Sequence, residues 1–204
     1  EIEACLVGSE MCIRDRCTIG PSCDNIEILK KLKNAGVDIF RINMSHANID
    51  DIYRLHKIAL NLGLTLGIDT EGAQIRTKFK GKNNLFLTKN QTFDLNIISN
   101  NGESELNLYP REVLDQLKVG DKIRLDFNGA YVEVIYKENS TIKFLCNEPG
   151  EVGDNKGADS QRKIDLPDFT DKDIEALKVA NKLNIKEIFI SFCKSKKAIN
   201  RVRD

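Results

Sequence analysis

The stretch that decides the fold reads Ile39-Phe40-Arg41-Ile42-Asn43-Met44-Ser45-His46. Successive side chains of a strand point to opposite faces, so this alternation of apolar and polar residues predicts a β-strand over 39–45. The polar face, with Arg41, Asn43 and Ser45, is a candidate site. A guanidinium buried without an anionic partner would cost several kcal/mol, so we expect an anion beside it. An edge strand whose polar face is solvated is the alternative.

Short strands and amphipathic helices alternate on both sides of that stretch. Further strands are predicted over 17–20, 65–69 and 187–192, and the helices between them begin near Asp24, Ile49 and Thr170. Asp24 with Glu27 is typical of a capping box, and Gly36 and Gly63 are typical helix ends. Alternation of this kind predicts a parallel sheet or barrel.

The pattern changes between residues 77 and 161, where short alternating runs are separated by turn-forming residues. This pattern predicts a small β-barrel or sandwich inserted into the βα part. The runs are Leu85-Phe86-Leu87, Thr92-Phe93-Asp94-Leu95, Lys122-Ile123-Arg124-Leu125, Val132-Glu133-Val134-Ile135 and Ile142-Lys143-Phe144-Leu145, with turns at Asn101-Gly102 and Asn128-Gly129.

The predicted fold class is therefore α/β. Residues 17–76 and 162–204 would form a partial TIM (β/α)8 barrel, its first four βα units, and residues 77–161 an inserted all-β lid domain. Without the insert roughly 120 residues remain, about half of what a closed barrel needs, so we expect the natural protein to be longer. Residues 1–16 are atypical: the run CLVGSEMCIRDR resembles translated adaptor sequence, and we hypothesise an assembly artefact.

Composition excludes several classes of partner. With 41% hydrophobic residues the chain can bury a core, and 31 Lys and Arg balance 31 Asp and Glu, so no overall field would attract nucleic acid or a membrane surface. No apolar run is long enough for a membrane span, and no secretory signal is visible. The six cysteines form no CxxC pair, and we interpret them as reduced, cytoplasmic thiols. They are Cys5, Cys12, Cys17, Cys23, Cys146 and Cys193.

Oxygen-bearing residues gather where two predicted strands end. Asn43 and Ser45 close one strand, and Asp69 and Thr70 close the next, which gives a ligand set suited to a hard cation. One carboxylate leaves a monovalent and a divalent ion both open. Arg41, Arg76 and Lys156 could close around phosphate, because guanidinium and ammonium groups suit its oxygens.

Four collinear motifs resemble the pyruvate kinase family in order and spacing. The resemblance spans residues 17–204 and identifies the insert with the mobile, β-rich lid domain of that family. The motifs are Cys17-Thr18-Ile19-Gly20-Pro21-Ser22, Arg41-Ile42-Asn43-Met44-Ser45-His46, the turn from Asp69 to Thr77, and Leu166-Pro167 followed by Thr170-Asp171-Lys172-Asp173-Ile174.

The resemblance implies a glycolytic phosphotransferase that passes the phosphoryl group of phosphoenolpyruvate to ADP, giving pyruvate and ATP. Arg41 would hold the substrate phosphate, and Asn43, Ser45, Asp69 and Thr70 would ligate potassium. Asn43, His46, Arg76 and Lys156 would border the nucleotide phosphates, and Ser191 and Lys194 would lie on the substrate side. The family also implies a homo-oligomer, a tetramer, and a magnesium ion.

The turn departs from the family pattern. Glu71-Gly72-Ala73-Gln74 stands where the family has Lys-Gly-Pro-Glu, and Gln74 leaves the potassium requirement open. The family's Lys-Ile-Glu strand, with the catalytic lysine and magnesium ligands, would follow residue 204, so this chain alone is expected to show no turnover. The alternatives are a catalytically altered pyruvate-kinase-like binding or regulatory protein, and a pyruvate-handling lyase on a related barrel.

Overall fold

The computed structural model describes residues 15–79, 84–96, 106–126, 129–138 and 141–203. The predicted turn at Asn101-Gly102, residue Asn128 and most of the atypical N-terminal segment lie outside these residues. The chain divides into two compact units, which we describe separately. The first comprises the residues up to Thr70 with Glu175–Phe189, and the second comprises Glu71–Ile174 with the residues from Ile190 onward.

Strands and helices follow one another along the chain in an order that changes character after the third strand. The elements are β1 (Arg16–Thr18), α1 (Ile26–Asn34), β2 (Ile39–Asn43), α2 (Ile49–Leu62), β3 (Thr65–Asp69), β4 (Ile75–Phe79), β5 (Leu85–Leu87), β6 (Thr92–Asn96), β7 (Leu106–Tyr109), α3 (Glu112–Gln116), β8 (Lys122–Leu125), β9 (Tyr131–Glu138), β10 (Thr141–Glu148), β11 (Gly150–Val152), β12 (Gly157–Ser160), α4 (Asp171–Lys182), β13 (Glu187–Phe189) and α5 (Lys196–Arg203).

The first unit is built on a parallel sheet of order β1-β2-β3-β13. All of β3 after Thr65 is buried, as expected of a parallel strand covered on both faces. Strand β2 ends at Asn43, two residues earlier than predicted, because the Ser45 N–H bonds to the Asn43 side chain at 3.0 Å and starts a turn. Strand β13 ends at Phe189 and not at residue 192; Phe192 has φ +51°, which is incompatible with a continuing strand.

Helices α1 and α2 begin and end at residues with clear capping chemistry. Asn25, and not the predicted Asp24, caps α1 by accepting the Glu27 N–H at 2.8 Å. Asp24 is instead held by Arg54 of α2, with nitrogen to oxygen distances of 2.8 and 2.6 Å. A capping box opens α2, and Gly63 with φ +63° ends it as predicted.

The apolar core of the first unit lies between the sheet and its helices. Buried β2 and β3 residues pack with one face of α2 and with the second half of α4. Its central members are Phe40, Ile42, Met44, Ile52, Leu55, Ala59, Leu66, Ile68, Ala176 and Ala180. The apolar face predicted for the decisive stretch is therefore confirmed.

The second unit is dominated by a seven-stranded sheet of order β6-β10-β9-β8-β12-β4-β7. Its pairings are antiparallel, and the outermost strands β6 and β7 also contact each other, so the sheet is a nearly closed barrel. Residues along β8 and β10 alternate between buried and partly exposed, which places one face in the core. A separate short pair joins β5 and β11.

The antiparallel β structure predicted for this region is confirmed, with all five predicted runs on strands, and the bounds of the insert stay a prediction. Strands β4, β7, β11 and β12 and helix α3 were not predicted. The α/β class is confirmed, whereas a barrel of four βα units remains a prediction, because the parallel strands form a four-stranded sheet. Within the described ranges, no helix has the length and hydropathy needed to cross a membrane.

Candidate functional site

An ion pair joins the two strand ends that the sequence singled out. The Arg41 guanidinium lies 3.1 Å from the Asp69 carboxylate, and its Nε donates to the Thr18 hydroxyl at 2.9 Å. Asp69 is only 4% exposed, whereas the Arg41 side chain keeps 35% of its surface. The anion expected beside Arg41 is therefore a protein carboxylate, and the Arg41 side chain remains partly exposed.

The other predicted cation ligands lie at the same end of the parallel sheet. Asn43 is directly opposite Asp69 in the register of β2 and β3. Ser45 and Thr70 are both buried, and the Thr70 N–H bonds to the Phe189 carbonyl oxygen at 3.0 Å. The strands thus bring Asn43, Ser45, Asp69 and Thr70 to one end of the sheet, as their positions at the carboxyl ends of parallel strands require.

The donor set can be tested for its fit to a cation. Amide, hydroxyl and carboxylate oxygens suit a hard ion, and Arg41 already balances the single carboxylate, so the local charge favours a monovalent over a divalent ion. Potassium fits these residues. For magnesium the result differs, because no group of three or more His, Cys, Asp or Glu side chains suited to a metal occurs among the described residues.

Residues predicted to border the nucleotide phosphates fall in both units. In the first unit, the exposed His46 follows the turn after β2. In the second unit, Arg76 on β4 is 9% exposed and donates to the Asn155 carbonyl oxygen at 3.3 Å, and Lys156 is exposed just before β12. The backbone of Lys156 is fixed by Thr77, whose N–H bonds to its carbonyl oxygen at 2.8 Å.

Ser191 and Lys194 lie beyond the end of β13 and belong to the second unit. The Lys194 ammonium donates to the Leu166 carbonyl oxygen at 2.5 Å and lies 3.9 Å from the Asp165 carboxylate. These contacts occupy the ammonium within its own unit. The structure therefore gives Lys194 a structural contact, and its predicted place on the substrate side stays a prediction.

The sequence did not reveal that Asp173 holds the turn after β3. Its buried carboxylate accepts the N–H groups of Glu71 at 2.7 Å, Gly72 at 3.0 Å and Thr170 at 3.1 Å. The Thr170 hydroxyl in turn accepts the Asp173 N–H at 3.1 Å, which confirms the predicted start of α4. Only this second role was legible in the sequence, since the partners at Glu71 and Gly72 lie about 100 residues away.

Glu71, which stands where the family pattern has lysine, is buried and paired. Its carboxylate accepts the Thr170 hydroxyl at 3.1 Å and lies 3.4 Å from the Lys172 ammonium. Burial raises the pKa of the nearby Tyr109 phenol; the hydrogen bond to Thr170 works against this shift, and the Glu71 and Asp173 charges add to it. The Glu71 carboxylate therefore has both a hydroxyl and an ammonium partner inside the second unit.

Gly72, the second residue of the turn that Asp173 holds, has no room for a side chain. Its φ of +69° is a conformation that L side chains rarely adopt. A Cβ there would also overlap the backbone carbonyl of Ser191. The turn that leads to Gln74 and Arg76 therefore depends on glycine and on the Asp173 carboxylate.

The fold is that of an α/β protein with a parallel sheet and a nearly closed antiparallel sheet, and polar side chains lie together at the ends of the parallel strands. A family model described as the pyruvate kinase barrel domain matches residues 13–204. The chain belongs to the pyruvate kinase family.

Individual relatives agree with this assignment. Pyruvate kinase of Staphylococcus epidermidis is 30% identical over 186 residues, which cover 86% of this chain and 32% of the relative. Pyruvate kinase of Trypanoplasma borreli is 28% identical over 203 residues, covering 92% of this chain and 40% of the relative. The crystal structure of Cryptosporidium parvum pyruvate kinase shares the fold, with a TM-score of 0.82, 24% identity, and coverage of 93% of this chain and 42% of that chain. This chain spans about a third of the length of the first of these relatives.

Proposed function

We propose that this chain is part of a phosphotransferase that passes the phosphoryl group of phosphoenolpyruvate to ADP. Arg41 binds the substrate phosphate, and Asn43, Ser45, Asp69 and Thr70 bind potassium. Asn43, His46, Arg76 and Lys156 serve the nucleotide phosphates, with Ser191 and Lys194 on the substrate side. Phosphoryl transfer needs mainly positioning and neutralisation of the transferred oxygens, and arginine and cation sites supply both.

One observation carries the proposal. The Arg41–Asp69 pair places a partly exposed arginine side chain against a buried carboxylate at the ends of neighbouring strands, with Asn43 opposite Asp69. Desolvating a carboxylate is unfavourable unless charged partners surround it. An arginine serving only to neutralise Asp69 would be expected to be buried more fully, and the partial exposure of the Arg41 side chain supports a role in anion binding.

The wider features of the function follow from family membership. The insert would act as a lid, and the protein would be a cytoplasmic homo-oligomer, a tetramer, when complete. Magnesium ligands and the catalytic lysine would come from segments that the longer relatives carry after the region matching this chain. We therefore expect no pyruvate in a coupled assay with this chain alone, and pyruvate formation by the purified chain would contradict this expectation.

The experiment that tests the cation site uses this chain as it is. The melting temperature is measured in potassium chloride and in tetramethylammonium chloride at equal ionic strength. Potassium should raise the melting temperature of the parent chain, and Asp69→Asn should remove the increase, with circular dichroism confirming that the variant folds. Asp94→Asn, an exposed acid of the antiparallel sheet, is the matched control. Equal melting temperatures in the two salts for the parent chain would overturn the cation assignment.

A second candidate is a pyruvate-kinase-like binding or regulatory protein. Glu71, where the family pattern has lysine, is the observation in its favour, although its pairing with Thr170 and Lys172 shows how the chain tolerates it. Calorimetric titration of the complete protein with ADP, followed by a pyruvate assay, separates the readings. Binding without turnover favours the regulatory protein, and no ADP binding favours the lyase.

A further inference from the structure

Two thiols of the first unit converge on one backbone oxygen. Cys17 lies on β1, and Cys23 lies in the turn before α1. The Cys23 sulfur is 3.4 Å from the Thr18 carbonyl oxygen, and the Cys17 sulfur is 3.7 Å from the same oxygen. Both side chains are partly exposed, so a small oxidant can reach them.

The turn that carries Cys23 is held in place around this contact. The N–H groups of Cys23 and Asp24 both bond to the Gly20 carbonyl oxygen at 2.9 Å, and the Gly20 N–H points at the Cys23 sulfur at 3.3 Å. These bonds return the chain toward β1 within a few residues. The backbone of this turn thus holds the Cys23 sulfur near the Thr18 carbonyl oxygen, and the Cys23 side chain is close enough to interact with that of Cys17.

The thiol pair is adjacent to the predicted phosphate residue. The Thr18 hydroxyl accepts the Arg41 Nε at 2.9 Å, while the Thr18 carbonyl faces the two sulfurs. Thr18 and Arg41 are also register partners in the parallel sheet. A covalent change at the thiols would thus act on a residue that contacts Arg41 directly.

We propose that Cys17 and Cys23 form a reversible disulfide under oxidising conditions and constitute a redox modification site beside Arg41. The proposal does not depend on the phosphotransferase function. Cys146 is buried, so it is not offered for the same chemistry.

The reaction balances with a peroxide as oxidant. The Cys23 sulfur attacks one peroxide oxygen, the O–O bond breaks, and a sulfenic acid and water form. The Cys17 sulfur then attacks the Cys23 sulfur, the S–O bond breaks, and a second water leaves as the disulfide forms. Burial and the neighbouring Cys23 thiol raise the pKa of Cys17, so Cys17 keeps its proton longer, and we write the first step at Cys23.

Peptide mapping tests the proposal directly. Trypsin cleaves after Arg16 and Lys30, so one peptide, 17–30, contains both cysteines. The reduced chain is treated with one equivalent of hydrogen peroxide, and free thiols are then blocked with iodoacetamide. We expect peptide 17–30 to lose two hydrogens and both alkyl groups, and dithiothreitol to restore alkylation. Alkylation of the two residues should fall about tenfold, and that of the exposed Cys193 by less than about twofold.

Matched variants decide between this pair and others. Cys23→Ser should leave Cys17 alkylated after the same treatment, whereas Cys193→Ser should leave the internal link unchanged. A link from peptide 17–30 to the peptide with Cys5 and Cys12, or full alkylation of Cys17 and Cys23 while free glutathione is oxidised, would overturn the proposal. Circular dichroism of each variant confirms that the comparison is between folded chains.

Discussion

The parallel sheet of the first unit and the antiparallel sheet of the second place their charged residues differently. At the end of the parallel sheet, Asp69 is 4% exposed and pairs with Arg41. On the antiparallel sheet, Arg124 and Glu148 form a shorter contact of 2.7 Å, but Glu148 keeps 57% of its surface. An arginine–carboxylate pair thus has a small desolvation cost on the antiparallel sheet and a larger one at the end of the parallel sheet.

A charged residue says more about its partners at the end of a parallel strand than on the solvated face of an antiparallel sheet. An antiparallel sheet with one solvated face accepts charges along its whole length, so they indicate little beyond solubility. A parallel strand such as β3 is buried after its first residue, and a carboxylate at its end must have a specific partner. Substitutions on the two sheets should therefore differ in their effects.

Truncation of the core of the antiparallel sheet should have the largest effect on stability. Phe144 is 1% exposed and stacks on Phe93 with ring centroids 5.5 Å apart. Phe144→Ala should lower the free energy of unfolding by about 3–5 kcal/mol, measured by urea denaturation. Phe86→Ala, at an exposed position of the same unit, should change it by less than about 0.5 kcal/mol. Similar losses for both variants would show that Phe144 does not lie in a packed core.

Removal of the Asp173 carboxylate should rank second. Three backbone N–H groups lose their acceptor, so Asp173→Ala should lower the free energy of unfolding by about 1.5–3 kcal/mol. Hydrogen exchange at Glu71 and Gly72 should become faster, which a general loss of stability alone would not confine to these amides. Asp171→Ala, at an exposed acid two residues away on the same helix, is the control. Unchanged exchange at Glu71 and Gly72 would contradict the assigned role.

Neutralisation of Asp69 should affect cation binding more than folding. Asp69→Asn removes the only carboxylate of the proposed potassium site, and we expect affinity for potassium to fall at least about tenfold. Thallium(I), which resembles potassium in size and charge, provides a direct NMR readout. Glu148→Gln on the antiparallel sheet should leave thallium binding unchanged. Equal affinities for Asp69→Asn and the parent chain would show that Asp69 does not bind the cation.

Acid should weaken the second unit through Asp121. The hydrogen bonds from Arg162 lower the pKa of this carboxyl, an effect that burial opposes and the Lys118 N–H reinforces. A lowered folded-state pKa gives stability that is present above the unfolded-state pKa and is lost as the pH falls through the folded value. Asp121→Asn should therefore flatten the fall in urea midpoint below about pH 4. An unchanged acid limb would show that other carboxylates dominate.

The exposed pair should have the smallest effect. Glu148→Gln removes the ion pair with Arg124 and should change the free energy of unfolding by about 0–1 kcal/mol, with the difference vanishing in molar salt. Arg124 also lies over the Tyr131 ring at 4.5 Å, which keeps it ordered in the variant. A loss above about 2 kcal/mol would mean that charges on this face matter as much as those of the parallel sheet.

Local patterns in the sequence were sufficient for the elements and for one end of the site. Alternation identified β2 and the antiparallel runs, and helix-stop glycines identified the end of α2, because these signals depend on neighbours in the chain. For Arg41, the sequence predicted only that some anion lies beside the guanidinium. The sequence does not say which of the 31 acids is the partner. The structure does, because β3 lies beside β2 and places Asp69 two residues beyond Gly67, the register partner of Arg41.

The parts that could not be predicted depend on distant partners or competing caps. Asp24 satisfied the capping pattern, yet Arg54 takes its carboxylate and Asn25 caps α1 instead. Asp173 has the pattern of an ordinary helix-start residue, and nothing near it in the sequence predicts its hydrogen bonds to the Glu71 and Gly72 N–H groups. The short strands β11 and β12 read Gly-Glu-Val and Gly-Ala-Asp-Ser, and they lack the alternating large apolar residues that mark the predicted runs.

Gly72 limits how this turn can change over generations of sequence variation. Residues 71 and 74 differ in charge from the family pattern that the turn resembles, and Glu71 is accommodated by Thr170 and Lys172. At Gly72 no comparable exchange is open, since any added carbon meets the Ser191 carbonyl and the backbone is left-handed. Substitutions in this turn can therefore change its charge, whereas its backbone conformation depends on keeping glycine at position 72.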